Sequence, residues 1–362
     1  MARSGQPRRR GRKYLQSFGI LLLFFFLFTL AAGFFFWKAL VTPFKGYQND
    51  SQVIEIRRGT NSAMILRDLQ KHGVLRDDFI PLVFLKALRR GDSLKAGVYE
   101  FRGPASPLDV IDKLVRGDVL FKSITVREGI DRFTIAELMA AEGFGTKAEW
   151  LEITAEGDLV RDLDPSAESL EGYLFPDTYK LAPGSRPATI VKTMVENFRK
   201  QFGSELAYIS TGLDVHDTVT LASIVETEAR LPEERPLIAS VYLNRIQRNM
   251  LLGADPTVIY AMKLEGRWDG NIRRADLRID SPYNTYRSRG FPPGPIANPG
   301  LSSLRAAAAP ARSDYLYFVS RNDGSHVFAR SLVEHNRNVQ IHQRDYWRQR
   351  RKAAAASESG GD

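Results

Sequence analysis

The chain of 362 residues contains no cysteine. That excludes disulfide bonds, thiolate metal sites and cysteine nucleophiles, so the fold must rest on ordinary apolar cores. Histidine is scarce, with five scattered copies, and His335 and His342 stand seven residues apart. A zinc pair on a helix needs i, i+4 spacing, which this is not. No Walker-type loop, no GxGxxG and no GxSxG occurs. Nucleotide cradles and serine nucleophile elbows therefore have no motif to stand on, and neither a metal nor a cofactor is expected.

Acidic residues are missing from the N-terminus. Arg3, Arg8, Arg9, Arg10, Arg12 and Lys13 precede residues 18–37, which hold no charge at all. Twenty apolar residues at about 1.5 Å rise span roughly 30 Å, the hydrocarbon thickness of a bilayer. Trp37 and Lys38 follow as interface residues. The excess of basic residues before the run keeps the N-terminus cytoplasmic and sends the rest across. A cleaved signal peptide would give way to a polar mature start, whereas Phe34-Phe35-Phe36-Trp37 continues apolar. An uncleaved single-pass anchor is the expectation. Of the net charge of +9, six charges sit in the first 13 residues, so the rest of the chain carries +3. The high pI therefore reflects topology, and no nucleic-acid partner is expected.

Beyond the anchor, roughly 320 residues suit two domains. A short stalk at 41–51 leads into the alternating Val53-Ile54-Glu55-Ile56 and then a helical pattern with Ile65, Leu66 and Leu69, ending at Gly73. The pattern returns 70 residues later. Ile54/Ile124, Arg57/Arg127, Gly59/Gly129, Ile65/Ile135 and Gly73/Gly143 are identical at that offset. Between the copies, 80–89 reads as a helix, 97–101 as a strand and 107–117 as another helix. Past Gly145 the pattern is mainly helical, with helices expected at 187–202, 217–230 and 236–249. A hairpin is expected about Asn322-Asp323-Gly324. The predicted class is α+β: a basic tail (1–17), a transmembrane helix (18–40), a small α+β module (50–122), a larger mainly helical domain (123–347) and a frayed tail (348–362).

The chemistry left to this composition is that of carboxylates. The apolar stretch Thr218-Val219-Thr220-Leu221-Ala222-Ser223-Ile224-Val225 abruptly admits Glu226, which continues the helical stripe of Val219 and Ala222. If that stripe packs inward, desolvation raises the carboxyl pKa, as in a glycosidase acid, and Glu226→Gln would leave stability unchanged or raise it. A surface Glu paired with Arg230 at i+4 fits the segment equally well. Glu228 lies roughly 200° around the helix and would not share a site with Glu226. A second unusual stretch, Ser281-Pro282-Tyr283-Asn284-Thr285-Tyr286 and then 290–300, is aromatic, amide-rich and stiffened by proline, as suits a sugar-lined groove. A turn-rich connector has the same composition.

Taken together these motifs resemble the endolytic murein transglycosylases, the MltG or YceG-like family. The resemblance runs through Leu170-Glu171-Gly172-Tyr173-Leu174-Phe175-Pro176-Asp177-Thr178-Tyr179, Leu221 to Glu226, Ala254-Asp255-Pro256-Thr257-Val258-Ile259-Tyr260, Ser281 to Tyr286, Gly290 to Gly300 and Tyr315 to Val319. One departure stands out: the family usually reads Val-Glu-Lys-Glu-Thr where this chain has Val225-Glu226-Thr227-Glu228-Ala229. The resemblance implies a LysM-like module followed by a catalytic domain, with Glu226 as catalytic acid. It implies Glu171, Tyr173, Asp255, Tyr283, Asn284, Thr285 and Tyr286 as substrate-binding residues, of which Tyr283, Asn284 and Tyr286 should contact sugar. The implied reaction cuts the MurNAc-GlcNAc bond of nascent peptidoglycan strands, leaves 1,6-anhydro-MurNAc ends and limits strand elongation at the plasma (inner) membrane. Glycan polymerases and transpeptidases are the implied protein partners. Two other readings compete: a non-catalytic peptidoglycan-binding scaffold, and a hydrolase using Glu226 with a second carboxylate, Glu171 or Asp255.

Overall fold

A computed structural model describes residues 9–88, 93–203, 209–348 and 350. Of the expected tails at 1–17 and 348–362, residues 1–8, 349 and 351–362 lie outside the described residues, as does Arg89 at the end of one expected helix. The fold is mixed α+β, in two compact units that meet between Lys122 and Ser123.

The first unit begins with α1 (Arg9–Val41). Its stretch Phe18–Val41, exposed along most of its length, is by length and composition suited to crossing a membrane. The last turn packs on α3 (Phe79–Ala87) and α4 (Pro107–Arg116), burying Leu40. Strands β1 (Ser51–Ile56) and β2 (Gly97–Arg102) pair antiparallel, with Ile54 opposite Tyr99. Alternation along β1 sends Ile54 and Ile56 inward, where they meet Leu66 and Leu69 of α2 (Ser62–Lys71) and Leu114 of α4. Asn61 caps α2 by accepting from the Met64 amide at 2.9 Å. Around α4, Ser106 and Asp109 form a capping box, Pro107 opens the helix and Gly117 ends it in the left-handed region, each where helix-end chemistry favours it.

The second unit repeats the strand–turn–helix at an offset of 70: β3 (Lys122–Thr125), a positive-φ glycine at 129 and α5 (Arg132–Ala141) match β1, Gly59 and α2. Asp131 caps α5 as Asn61 caps α2. β3 pairs with β4 (Thr178–Leu181), a strand the sequence pattern did not announce. Four more helices follow, α6 (Lys147–Ile153), α7 (Pro187–Phe202), α8 (Val215–Glu228) and α9 (Arg235–Gln247), then α10 (Asp255–Leu264) and α11 (Leu301–Ala308). The hairpin β5 (Tyr317–Ser320) and β6 (His326–Ala329) turns at 321–325, with Asn322 at positive φ, and α12 (Leu332–Val339) packs on it.

The organising element is α8. Asp214 caps it three residues before the expected start, and the helix stops at Glu228 rather than Arg230. Every residue from Thr218 to Val225 is buried, because α9, α10 and α11 surround it. The stripe of Val219 and Ala222 packs inward, and the other faces of the helix are buried with it, Thr218, Thr220 and Ser223 included. The 281–300 segment closes over it. Gly172, at φ 89°, fits where a Cβ would stand 2.6 Å from Pro295 and 2.8 Å from Val219, so only glycine lets the 170–174 turn meet α8.

Candidate active site

Glu226 sits in the last turn of α8 with its side chain 5% exposed. Its Oε1 accepts from Arg235 Nη2 at 3.0 Å, and its Oε2 accepts from the Gly300 amide at 2.9 Å. Gly300 is the N-cap of α11, so the carboxylate lies at a helix start, where free amides and the helix dipole favour negative charge. Arg235 is buried as well, and its Nε donates to Ser303 Oγ at 2.9 Å. The alternative pairing with Arg230 is not the one formed. A third charged group borders the pair. Glu128, in the turn after β3, rests its carboxyl against Gly300 so closely that a Cβ there would overlap it. Its pKa is raised by burial of the carboxyl and then by the charge of Glu226, with Arg235 opposing.

Arg235 changes the stability expectation for Glu226. Replacing one member of a buried ion pair leaves the other without its counter-charge, which is strongly destabilising. Glu226→Gln is therefore expected to lower stability, not raise it.

Around this centre the loops are tied by Asn298, which is fully buried. Its Oδ1 accepts from the amides of Gly172 and Leu174, both at 2.9 Å. Its Nδ2 donates to Glu171 Oε1 at 2.8 Å and to the Ile130 carbonyl at 3.0 Å. Its own amide donates to the Ile130 carbonyl, and its carbonyl accepts from Gly129. Three segments far apart in sequence thus meet at one side chain.

Glu171 is 1% exposed and accepts from the Arg132 amide at both oxygens. Burial, and next the charge of Asp131, push it up to about 8. Tyr173 is buried and donates its hydroxyl to Asp164. Asn284, 0% exposed, donates to the carbonyls of Leu277 and Ile279, and Thr285 accepts from the Ala254 amide at 3.0 Å. The expected direct sugar contact is corrected for Asn284: its amide holds the loop, and Tyr173, Thr285 and Glu171 are likewise enclosed by the fold. Tyr283 and Tyr286 are half-buried and Asp255 is exposed. Tyr286 donates to Asp255 Oδ1 at 2.6 Å, and Tyr283 packs 5.0 Å from the ring of Tyr260. Glu228 faces that cluster instead of the Glu226 centre. Burial, then the charge of Asp255, push its carboxyl up to about 7, with a hydrogen bond to Tyr242 opposing. Glu171 is engaged by the Arg132 amide and Asn298, and Asp255 by Tyr286.

Sequence reasoning did not single out Glu128, Arg235, Ser303 or Asn298. One signal was present: the two repeat copies read Arg57-Arg58-Gly59 and Arg127-Glu128-Gly129, so the charge reverses at the turn of the second copy alone.

The chain belongs to the YceG-like family, whose pattern matches residues 54–341. It is similar to a protein of Bacillus subtilis (strain 168) named endolytic murein transglycosylase, 32% identical over 331 residues, covering 85% of this chain and 89% of that one. A protein of the same name from Streptococcus pneumoniae serotype 2 is 29% identical over 365 residues; 91% of this chain matches 66% of the pneumococcal protein's length. A putative yceG-like protein of Listeria monocytogenes, solved at 2.6 Å, is 30% identical, with a TM-score of 0.55 over 80% of this chain and 99% of its own.

Two predictions follow from the polar network. His216 lies between two acceptors, Asp164 Oδ2 at 2.8 Å and the Pro293 carbonyl at 2.8 Å, so both ring nitrogens must donate and the ring is an imidazolium. Its pKa is raised to about 9, first by the Asp164 hydrogen bond. A raised pKa gives stability that is complete below the unfolded value of about 6.5 and is lost as pH rises through the folded value. The melting temperature should therefore fall between pH 7 and pH 10, and calorimetry on His216→Gln should show a lower melting temperature at neutral pH with a flatter alkaline fall. An unchanged slope would contradict the assignment. Asn298→Ala strands two amides and Glu171 in the interior, at about 1–3 kcal/mol each. Denaturant unfolding should register a loss of several kcal/mol; a loss under about 1 kcal/mol, the worth of one ordinary hydrogen bond, would contradict the hub role.

Proposed function

We propose that this chain is a membrane-anchored endolytic lytic transglycosylase that cuts the MurNAc-GlcNAc bond of peptidoglycan strands and leaves 1,6-anhydro-MurNAc ends, limiting strand elongation. The observation that carries the reading is Glu226: a carboxyl enclosed at the end of a buried helix, held by Arg235 and the Gly300 amide, in a chain whose relatives carry the endolytic murein transglycosylase name.

The reaction needs a proton for the leaving glycosidic oxygen and an acceptor for the proton of the attacking hydroxyl. In the simplest scheme Glu226 serves both ends. As the acid it protonates the GlcNAc oxygen that leaves C1 of MurNAc. As carboxylate it then takes the proton of the C6 hydroxyl, which bonds to C1 in place of water. No water enters the product, so the cleavage is that of a lyase. Tyr283, Tyr286 and Asp255 are the residues of the original set that remain open to sugar contact, while Glu171, Tyr173, Asn284 and Thr285 shape the walls behind them.

The apolar run of α1 supports a single-pass anchor with its basic N-terminus in the cytoplasm and the rest extracytoplasmic, at the plasma (inner) membrane. Residues 50–122, a two-stranded antiparallel sheet with packed helices, are assigned the LysM-like role of holding glycan, and residues 123–347 the catalytic role. Glycan polymerases and transpeptidases are the protein partners this reading implies.

The test is digestion of purified glycan strands followed by mass spectrometry of the ends. Wild-type protein should release anhydro-ended fragments. Glu226→Gln should lose cleavage by about 10²–10⁴-fold or more, the range for a lost general acid or base, when assayed below its own unfolding temperature. Retention of more than about a tenth of wild-type cleavage, far above that range, would remove Glu226 from its role.

A further inference from the structure

The end of α1 joins the first unit with no slack between them. Its last turn packs on α3 and α4. Just beyond, Phe44 and Ala105 exchange two backbone hydrogen bonds, at 3.0 and 3.1 Å, and the Gly46 amide donates to the Gly73 carbonyl at 2.8 Å. The segment expected to be a stalk is thus tied to the unit at Phe44 and Gly46. Depth then follows from length. With residues 18–37 filling about 30 Å of hydrocarbon, Lys38 to Thr42 rise through roughly the next 6 Å, which is the headgroup layer. Trp37, 56% exposed, marks the boundary as interfacial tryptophans do. On α3, which packs on α1, Phe79 and Val83 stand exposed one turn apart.

At the level of Lys38 the first unit holds a cavity of about 300 Å³, between the end of α1, the turn before α3 and the start of α4. Phe35, Ala39 and Phe44 form an apolar wall, and Lys38, Arg76 and Asp77 a charged one. Asp77 is already engaged, since its Oδ1 accepts from the Ile80 amide at 3.0 Å. Among the described residues, no carboxylate stands within ion-pair distance of Lys38 or Arg76. The Arg76 guanidinium lies over the Phe44 ring, 5.2 Å from its centre. Stacking of that kind holds the plane of the group and leaves its N–H edge for a partner. Two cations against one engaged carboxylate leave the cavity positive. Positive charge beside an aromatic wall, at the depth of lipid phosphates, complements a phosphodiester whose glycerol and first methylenes lie on that wall.

We propose that this cavity binds the headgroup of an anionic phospholipid of the extracytoplasmic leaflet and so seats the first unit on the membrane surface. The inference rests on the single-pass anchor of the proposed function and is independent of the reaction. The phosphodiester accepts from the Arg76 fork and from the Lys38 ammonium, so one lipid links α1 to the turn at 75–77. The unit assigned to hold glycan then stands at a fixed height above the bilayer, because its floor is clamped to a lipid as well as to the helix.

The test locates the lipid. Full-length protein is reconstituted into phosphatidylcholine liposomes with a tracer of phosphatidylglycerol that carries a photoreactive diazirine in its headgroup. Irradiation and peptide mass spectrometry should place the label on residues 35–44, 75–77 and 105–107. Unlabelled phosphatidylglycerol should displace it, while added phosphatidylcholine and soluble glycerol phosphate should not. Lys38→Gln and Arg76→Gln should each lower the label there about fivefold, the contribution of one cation at an anionic surface. Ala39→Leu fills the cavity without changing its charge and should lower the label as well. Arg76→Lys keeps the charge and loses the fork, so it draws the same distinction should Ala39→Leu fail to fold. Unchanged melting temperatures in detergent separate a lost site from a lost fold. Label spread evenly along the exposed end of α1, label unmoved by both Ala39→Leu and Arg76→Lys, or displacement by glycerol phosphate as effective as by lipid would each overturn the proposal. Release of the protein from the liposomes by alkaline carbonate would instead remove the anchor reading, and the proposal with it.

Discussion

The geometry of the second unit hangs on Asn298. A buried primary amide must find partners for two N–H groups and an oxygen, and an incomplete set costs more than the hydrogen bonds gain. Here every polar atom of the residue is used, and each partner belongs to the turn at 129–130 or the loop at 171–174. The side chain can be satisfied in one arrangement of those segments. Two residues on, Gly300 starts α11 and presents its amide to Glu226 while yielding space to Glu128. The hub therefore fixes the distance between the repeat's turn, which carries Glu128, and the end of α8, which carries Glu226. Positioning of this kind, on rigid elements backed by satisfied hydrogen bonds, is what acid–base catalysis requires.

The charges gathered there work against stability. Glu226 and Arg235 are both buried, and taking an ion pair out of water rarely gives a net gain. Glu171 lies in the interior with a pKa near 8, and Glu228 near 7, each raised chiefly by burial. An apolar interior would be simpler to stabilise. The tight packing of α8, with eight successive buried residues, and the aromatic contacts of Tyr173 with Phe198 and Tyr242 with Phe318 supply the opposing contribution. This is the pattern of a fold that holds reactive groups at a cost met by its core.

Much of the fold was legible in the sequence because its signals are local. The long apolar helix followed from a charge-free run, the offset of 70 from identical residues, and two helix ends from Gly73 and Gly117. Glu226 was legible as a carboxylate breaking an apolar helix. What escaped was non-local. Asn298 reads as one more polar residue in a proline-rich loop, and its importance lies in bonds to residues 126 and 127 positions away, at Gly172 and Glu171. Arg235 reads as a surface residue between two glutamates and a proline, yet it is 7% exposed. The mistaken assignment of Asn284 to sugar contact has the same origin: amides that line a groove and amides that hold a loop have the same composition. Glu128 was visible only as a mismatch between two copies of a repeat, a signal whose meaning depends on which residue the turn faces.

The central claim is that the enclosed carboxyl chemistry at Glu226 cleaves glycan with the substrate's own hydroxyl in place of water. Digestion of purified strands in ¹⁸O-labelled water tests it directly, because a hydrolytic cut writes the solvent oxygen into the new end. The account predicts new MurNAc ends that are one water lighter than a reducing end and carry no label. Ends at the full reducing mass with ¹⁸O at C1 would contradict it.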